Sequence, residues 1–222
     1  MRKKLDVLYE DKNLLIINKP TKVLTVGTDK NKIHTLYFEA SEYVKKQHPK
    51  NKVFIVNRLD RDTSGIVVFA KNEKLKKELQ NNWQDWAKNR EYICVVMGHL
   101  KKPSGIIKNY LFEDKRLMVH ETNDPKKGVL AITKYQVLKT SKAYSMLKIN
   151  ILTGRKNQIR VHLKGLDHPI IGDKKYKAKK NPISRLGLHA SKLELDIPIL
   201  KKHIIVLSNV PKEFEKLFLK GE

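Results

Sequence analysis

The sequence predicts an α+β fold, a mixed and mainly antiparallel sheet with peripheral helices, and three patterns predict it. Short apolar runs alternate residue by residue over much of the chain, helical spacing appears in only a few segments, and no internal repeat, low-complexity tract or flexible linker separates them. In order, Leu5, Val7 and Tyr9 alternate, Asp11 to Asn13 carry turn chemistry, and Leu14 to Ile17 form a continuous apolar strand ended by Pro20, so the opening reads as a hairpin. From Thr35 the spacing becomes helical, with Leu36, Ala40, Tyr43 and Val44 on one face, and Pro49 bounds that helix. Residues 53–56 read as a strand, as does the run from Gly65 through Ala70, which makes the polar stretch NRLDRDTS between them a loop. Leu75, Leu79, Trp83 and Trp86 return to helical spacing, and both tryptophans are read as packing residues.

The second half is richer in strands. EYICVVMG is followed by a turn-prone segment with Pro103 and Gly105, then by the alternating runs AITKYQVL and YSMLKINIL. NQIRVHL has the spacing of a short helix, LGLHASKLEL and HIIVL alternate as strands, and PKEFEKLF reads as a last helix with Pro211 in its first turn.

The composition narrows the function. Lys and Arg number 47 against 23 Asp and Glu, a net charge of +24 spread along the whole chain. Such an excess suits a polyanion, and nucleic acid comes first, because each phosphate neutralised releases condensed counterions; a merely solvated lysine-rich surface is the alternative. A membrane surface fits less well, since MRKKLDVLYE and FEKLFLKGE show neither a basic amphipathic helix nor a lipidation signal. No apolar run approaches the ~20 residues that cross a bilayer, and no signal peptide is recognisable, so a cytoplasmic protein is expected. The single cysteine, Cys94, cannot form an internal disulfide and reads as a buried strand residue. Scattered histidines exclude a recognisable metal site, and Ser64 and Ser104 lack the context of an activated nucleophile. His189 reads as structural.

The chemistry is concentrated in the loop. Arg58, Asp60, Arg61, Asp62, Thr63 and Ser64 set charges beside two apolar strands, where a carboxylate stays ionised only if an arginine or backbone donors hold it. The later segment TGRKNQIRVH can supply that arginine; an ordinary ion pair of Asp60 or Asp62 with Arg58 is the plainer explanation.

YEDKNLLIINKP, VNRLDRDTSGIVVFAKN, REYICVVMG, TGRKNQIRVHL with HPIIGDKKY after it, and RLGLHASKLEL occur in an order that resembles the RluA-type family of RNA pseudouridine synthases over nearly the full chain. NRLDRDTSG is similar to that family's HRLDxxTSG signature. The resemblance implies a pseudouridine synthase fold with two lobes around a central active-site cleft, one catalytic domain over residues 1–222, and isomerisation of uridine in ribosomal or transfer RNA. It implies no cofactor and no metal, because the reaction neither gains nor loses an atom. The catalytic aspartate falls on Asp60, the tyrosine that stacks on the base on Tyr92, and the basic partner of the aspartate on Arg160; Arg58, Arg61, Thr63, Arg155 and Asn157 are matched as substrate-binding positions. Asn57 and Asn157 stand where the family has His, which removes two imidazoles but keeps a donor and an acceptor at each position.

The small RNA-binding domain that often precedes the catalytic one in this family is expected to be absent, which leaves RNA capture to the basic surface. A monomer is expected, because one chain carries every motif. The rival reading is an inactive RNA-binding or ribosome-assembly protein of the same fold.

Overall fold

The computed structural model describes residues 5–27 and 33–219. The terminal segments read above for a membrane anchor extend into residues 1–4 and 220–222, which lie outside the described residues. Two compact units divide the chain: residues up to Lys88 with Ala190–Ser208 form one, and Asn89–His189 with the chain from Asn209 form the other.

In the first unit β1 (Val7–Glu10) and β2 (Leu14–Lys19) make the expected hairpin. Asp11 closes its turn, its Oδ1 accepting the backbone N–H of Asn13 and of Leu14, each at 2.7 Å. β2 pairs antiparallel with β4 (Ser64–Ala70), from Leu14 opposite Ala70 to Lys19 opposite Gly65, and every β4 side chain is buried. Next to β4 lies β10 (Leu188–Ile197), which belongs to this unit from Ala190 on and pairs antiparallel with β11 (Lys202–Leu207). Gly65 permits the close approach: at φ +113° any Cβ would stand 2.2 Å from the Ala190 carbonyl oxygen.

Helix α1 (Leu36–Gln47) starts where the spacing predicts, with the Thr35 hydroxyl accepting Phe38 N–H and Leu36, Ala40 and Val44 buried. The strand expected at 53–56 shrinks to β3 (Phe54–Ile55), because the Asn57 side chain replaces the ladder, its Oδ1 accepting Val68 N–H at 2.8 Å. Leu75 and Leu79 are buried in α2 (Glu73–Asn81), whereas Trp83 and Trp86 open and close a single turn, α3 (Trp83–Trp86), and are only half-buried.

The second unit orders its strands β5-β9-β8-β6-β7, with every neighbouring pair antiparallel: β5 (Ala87–Met97), β6 (Ser104–Glu113), β7 (Val119–Thr122), β8 (Val129–Thr140) and β9 (Tyr144–Ile151). Hydropathy did not foretell the β6–β7 hairpin. Ile106 is 63 % exposed, so the sheet's open face carries apolar residues and the alternation fades. Helix α4 (Gln158–Gly165) packs Ile159 and Leu163 into a core with Cys94, Val96, Leu147 and Ile149. Burial pushes the Cys94 thiol far up, which keeps it protonated. The last helix, α5 (Lys212–Glu215), has Pro211 at its N-cap and buries Phe214. Among the described residues no helix is long and apolar enough to cross a membrane.

Candidate active site

The loop between β3 and β4 carries Arg58, Asp60, Arg61 and Thr63, and it is held from below rather than left to solvent. Thr25 Oγ1 donates to Leu59 O at 2.8 Å and accepts Leu59 N–H, Thr21 Oγ1 donates to Asp62 O at 2.7 Å, and Thr63 N–H closes a turn onto Asp60 O. The strongest brace is Lys19. Its side chain is wholly buried, and its ammonium donates to the carbonyls of Pro20, Val23 and Arg61 at 2.9, 2.7 and 3.0 Å. Three charge-assisted bonds match the three donors of an ammonium. Bonds on both sides of residue 60 fix its backbone, so the half-buried Asp60 carboxylate is presented from a rigid support. Thr63 is buried, whereas Arg58 and Arg61 are exposed.

In the second unit α4 and the turn before it assemble the remaining polar residues. Arg160, 8 % exposed, donates through Nε and Nη2 to the two oxygens of Asp173 at 2.7 and 2.8 Å. Asp173 Oδ1 also accepts Tyr176 N–H, and the Tyr176 ring lies 5.1 Å under the guanidinium. Two bonds to Asp173 fix the plane of the guanidinium, whose donors form a rigid fork. Neither Asp173 nor Lys19 was singled out from sequence, although both lie in quoted motifs, GDKKY and INKP. Lys19 closes an apolar run and Asp173 sits beside lysines, so hydropathy marks neither as buried.

Asn157 is buried at the N-cap of α4 with φ +53°, a left-handed conformation that asparagine tolerates well, and its Oδ1 accepts from Tyr176 Oη and Lys175 Nζ, each at 3.2 Å. It thereby ties the turn to the segment that orients Arg160. Gln158 is buried and fully engaged: Oε1 accepts from Thr153 Oγ1 and Arg155 N–H, and Nε2 donates to Ile132 O and Thr133 Oγ1. The chain of bonds continues through His162, whose Nδ1 lies 2.8 Å from Thr133 Oγ1 and whose Nε2 lies 2.8 Å from Asn109 Oδ1. Burial lowers the His162 pKa to about 4, so the ring is neutral near pH 7 and acts as a structural link. Arg155 is exposed, with Nε donating to Leu130 O at 3.0 Å.

Tyr92 lies on β5 opposite Ile149, half-buried against the core that α4 covers. Arg90, two residues earlier, is buried and donates from Nη2 to Leu152 O. Thus Arg58, Asp60, Arg61 and Thr63 share one braced loop, and Arg155, Asn157 and Arg160 share one turn and helix. Among the described residues no three His, Cys, Asp or Glu side chains are grouped to hold a metal ion.

The model for the family described as RNA pseudouridylate synthase matches residues 13–165, which include the braced loop, Tyr92, Asn157 and Arg160 but neither Asp173 nor Tyr176. The chain belongs to this family. Its members are isomerases that act on RNA. The ribosomal large subunit pseudouridine synthase D of Borreliella burgdorferi is 32 % identical over 94 % of the chain and 69 % of its own length. The tRNA pseudouridine synthase C of Haemophilus ducreyi is 32 % identical over 96 % of the chain and 94 % of its own length. A solved structure, human RNA pseudouridylate synthase domain containing 4, superposes with a TM-score of 0.78 at 23 % identity, covering 97 % of this chain and 94 % of that one, so the pseudouridine synthase fold is shared. The RluA-type resemblance and the α+β, mainly antiparallel expectation therefore both hold.

Proposed function

We propose that this pseudouridine synthase isomerises uridine in ribosomal or transfer RNA with Asp60 as its catalytic carboxylate, working in the cytoplasm as a monomer and without cofactor or metal. The observation that carries the reading is the support around Asp60: a buried lysine and two threonines immobilise the backbone on both sides of a side chain that stands in the family's signature.

The reaction breaks the N1–C1′ bond, turns the freed uracil, joins C5 to C1′, and moves one proton from C5 to N1. In this reading Asp60 supplies negative charge at the sugar or base while the glycosidic bond breaks. Arg160 is the basic residue assigned as the partner of the aspartate, and Asp173 and Tyr176 keep its guanidinium in plane. Tyr92 stacks on the extruded uracil and assists removal of the C5 proton. Arg58 and Arg61, exposed on the same loop as Asp60, suit contacts to the strand around the target, with Arg155 serving from the turn before α4. Thr63 and Asn157 are buried and support the substrate site through the backbone they fix. The relatives named for ribosomal and for transfer RNA support these two substrate classes.

Mapping carbodiimide-reactive uridines across total RNA, with and without the gene, tests the proposal. At least one site in ribosomal or transfer RNA should vanish on deletion, return with the intact gene, and stay absent with the Asp60→Ala gene. An unchanged map would reject the proposal.

A further inference from the structure

The second unit holds a cationic pocket of which the proposed reaction uses only Arg155. A concavity of about 470 Å³ is lined by Lys126 and Lys127 from the β7–β8 turn, by Arg155 and Lys156 from the turn before α4, and by Glu113 and Phe112 from the end of β6. Four cations thus face one carboxylate, and that carboxylate is already paired with Lys156. Concentrating like charge in a concave, partly apolar site is unfavourable unless an anion enters it.

The turn that carries the two lysines is built rather than loose. Asp124 N–H donates to Thr122 Oγ1 at 3.1 Å, Asp124 Oδ1 accepts Lys126 N–H at 2.9 Å, and Lys127 N–H donates to Asp124 O at 3.1 Å. Gly128 closes the turn against β6, where a Cβ would come within 2.9 Å of the Tyr110 Cβ. Arg155 is held by its Nε bond to Leu130 O, at the start of β8. The cations are therefore preorganised on backbone bonds, while the side chains of Lys126 and Lys127 enter no ion pair among the described residues. Arg155 and Lys156 lie five and four residues before Arg160, so the pocket is continuous in sequence with the helix that carries the proposed aspartate partner.

We infer that this pocket grips consecutive phosphodiesters of the RNA strand flanking the target uridine, making the β7–β8 turn a docking element for the substrate backbone. The inference rests on the pseudouridine synthase reading, but its readout is binding rather than turnover. Each phosphate neutralised contributes about 0.7 to 0.9 to the slope of log K against log salt. Removing Lys126 and Lys127 together should lower that slope by about 1.4 to 1.8, and over the decade from 1 M to 0.1 M salt this amounts to roughly a 25-fold or larger loss of affinity at 0.1 M.

The test titrates a fluorescein-labelled 20-nucleotide RNA hairpin against the full-length protein, Lys126→Gln/Lys127→Gln, and the control Lys101→Gln/Lys102→Gln, which removes two exposed lysines from the β5–β6 turn of the same unit. The inference predicts the slope and affinity loss for the first pair and little change for the control. Equal losses in both would mean diffuse charge, and no loss in the first would mean no contact; either result overturns the pocket. Asp60→Ala should bind the hairpin normally in the same assay. An active Asp60→Ala protein together with a weakened pocket variant would reject the catalytic reading and leave the pocket standing.

Discussion

Replacing Asp173 by Asn perturbs a buried ion pair that aims Arg160. Asp173 is 2 % exposed and accepts from Nε and Nη2 of Arg160 and from the Tyr176 amide, so all three bonds lie within low-dielectric packing. Asparagine keeps the shape but offers one carbonyl oxygen. Its NH₂ must then face a guanidinium N–H, donor against donor, and the negative charge that Asp173 sets against the arginine is lost. Leaving one partner of a buried pair uncompensated costs about 3 to 5 kcal/mol, a large share of the ~5 to 15 kcal/mol that stabilises a typical domain. Urea unfolding should show that loss. Turnover should suffer separately, since a guanidinium displaced by about 1 Å costs on the order of a hundredfold in rate. Single-turnover conversion of a substrate RNA should slow by about that factor while RNA affinity, set by exposed lysines, stays put. Full rate in a destabilised protein would show that Arg160 needs no Asp173 to act, and full stability would refute the argument from the buried pair.

Two further predictions concern buried ionisable groups. Lys19→Met removes the brace from the Arg61, Val23 and Pro20 carbonyls; it should destabilise the first unit by about 2 to 4 kcal/mol, since charge-assisted bonds are each worth ~1.5 to 3 kcal/mol against the desolvation saved, and should lower kcat more than it raises KM. Hydrogen exchange at the amides of residues 59–63 would report the loosened loop, and unchanged protection would contradict the bracing role. His162, with its pKa near 4 in the fold against 6.5 for a free imidazole, takes up a proton more readily when unfolded. Its stabilising contribution is whole above about pH 6.5 and is lost as pH falls to about 4, so urea unfolding should lose roughly 2 kcal/mol between pH 7 and pH 5 from this ring, a loss that His162→Gln should remove. An identical pH profile in that variant would contradict the assignment.

Periodicity made much of this molecule legible. The β1–β2 hairpin, α1, α4 and the β8–β9 pair follow from where apolar residues fall, because each buries one face or one whole strand. The loop bearing Asp60 followed from polar residues trapped between two buried strands. What stayed hidden was charge placed against the pattern. Lys19 ends an apolar strand and reads as a surface residue until its ammonium is seen to tie three carbonyls, and Asp173 sits among lysines that suggest solvent. Hydropathy also missed β6, whose exposed Ile106 blurs the alternation, and it placed Trp83 and Trp86 deeper than a single four-residue turn carries them. The two Asn residues in place of His have structural work: the Asn57 side chain takes the place of a ladder bond, and Asn157 anchors a left-handed cap.

The most direct measurement is tritium release from RNA labelled at C5 of uridine, with purified protein in chelator and without nucleotide. Label should pass to water at a steady rate with the intact side chain at position 60, and none should pass with Asp60→Asn, although that variant still binds the RNA. Release from the Asn variant at the wild-type rate would remove the carboxylate from the chemistry.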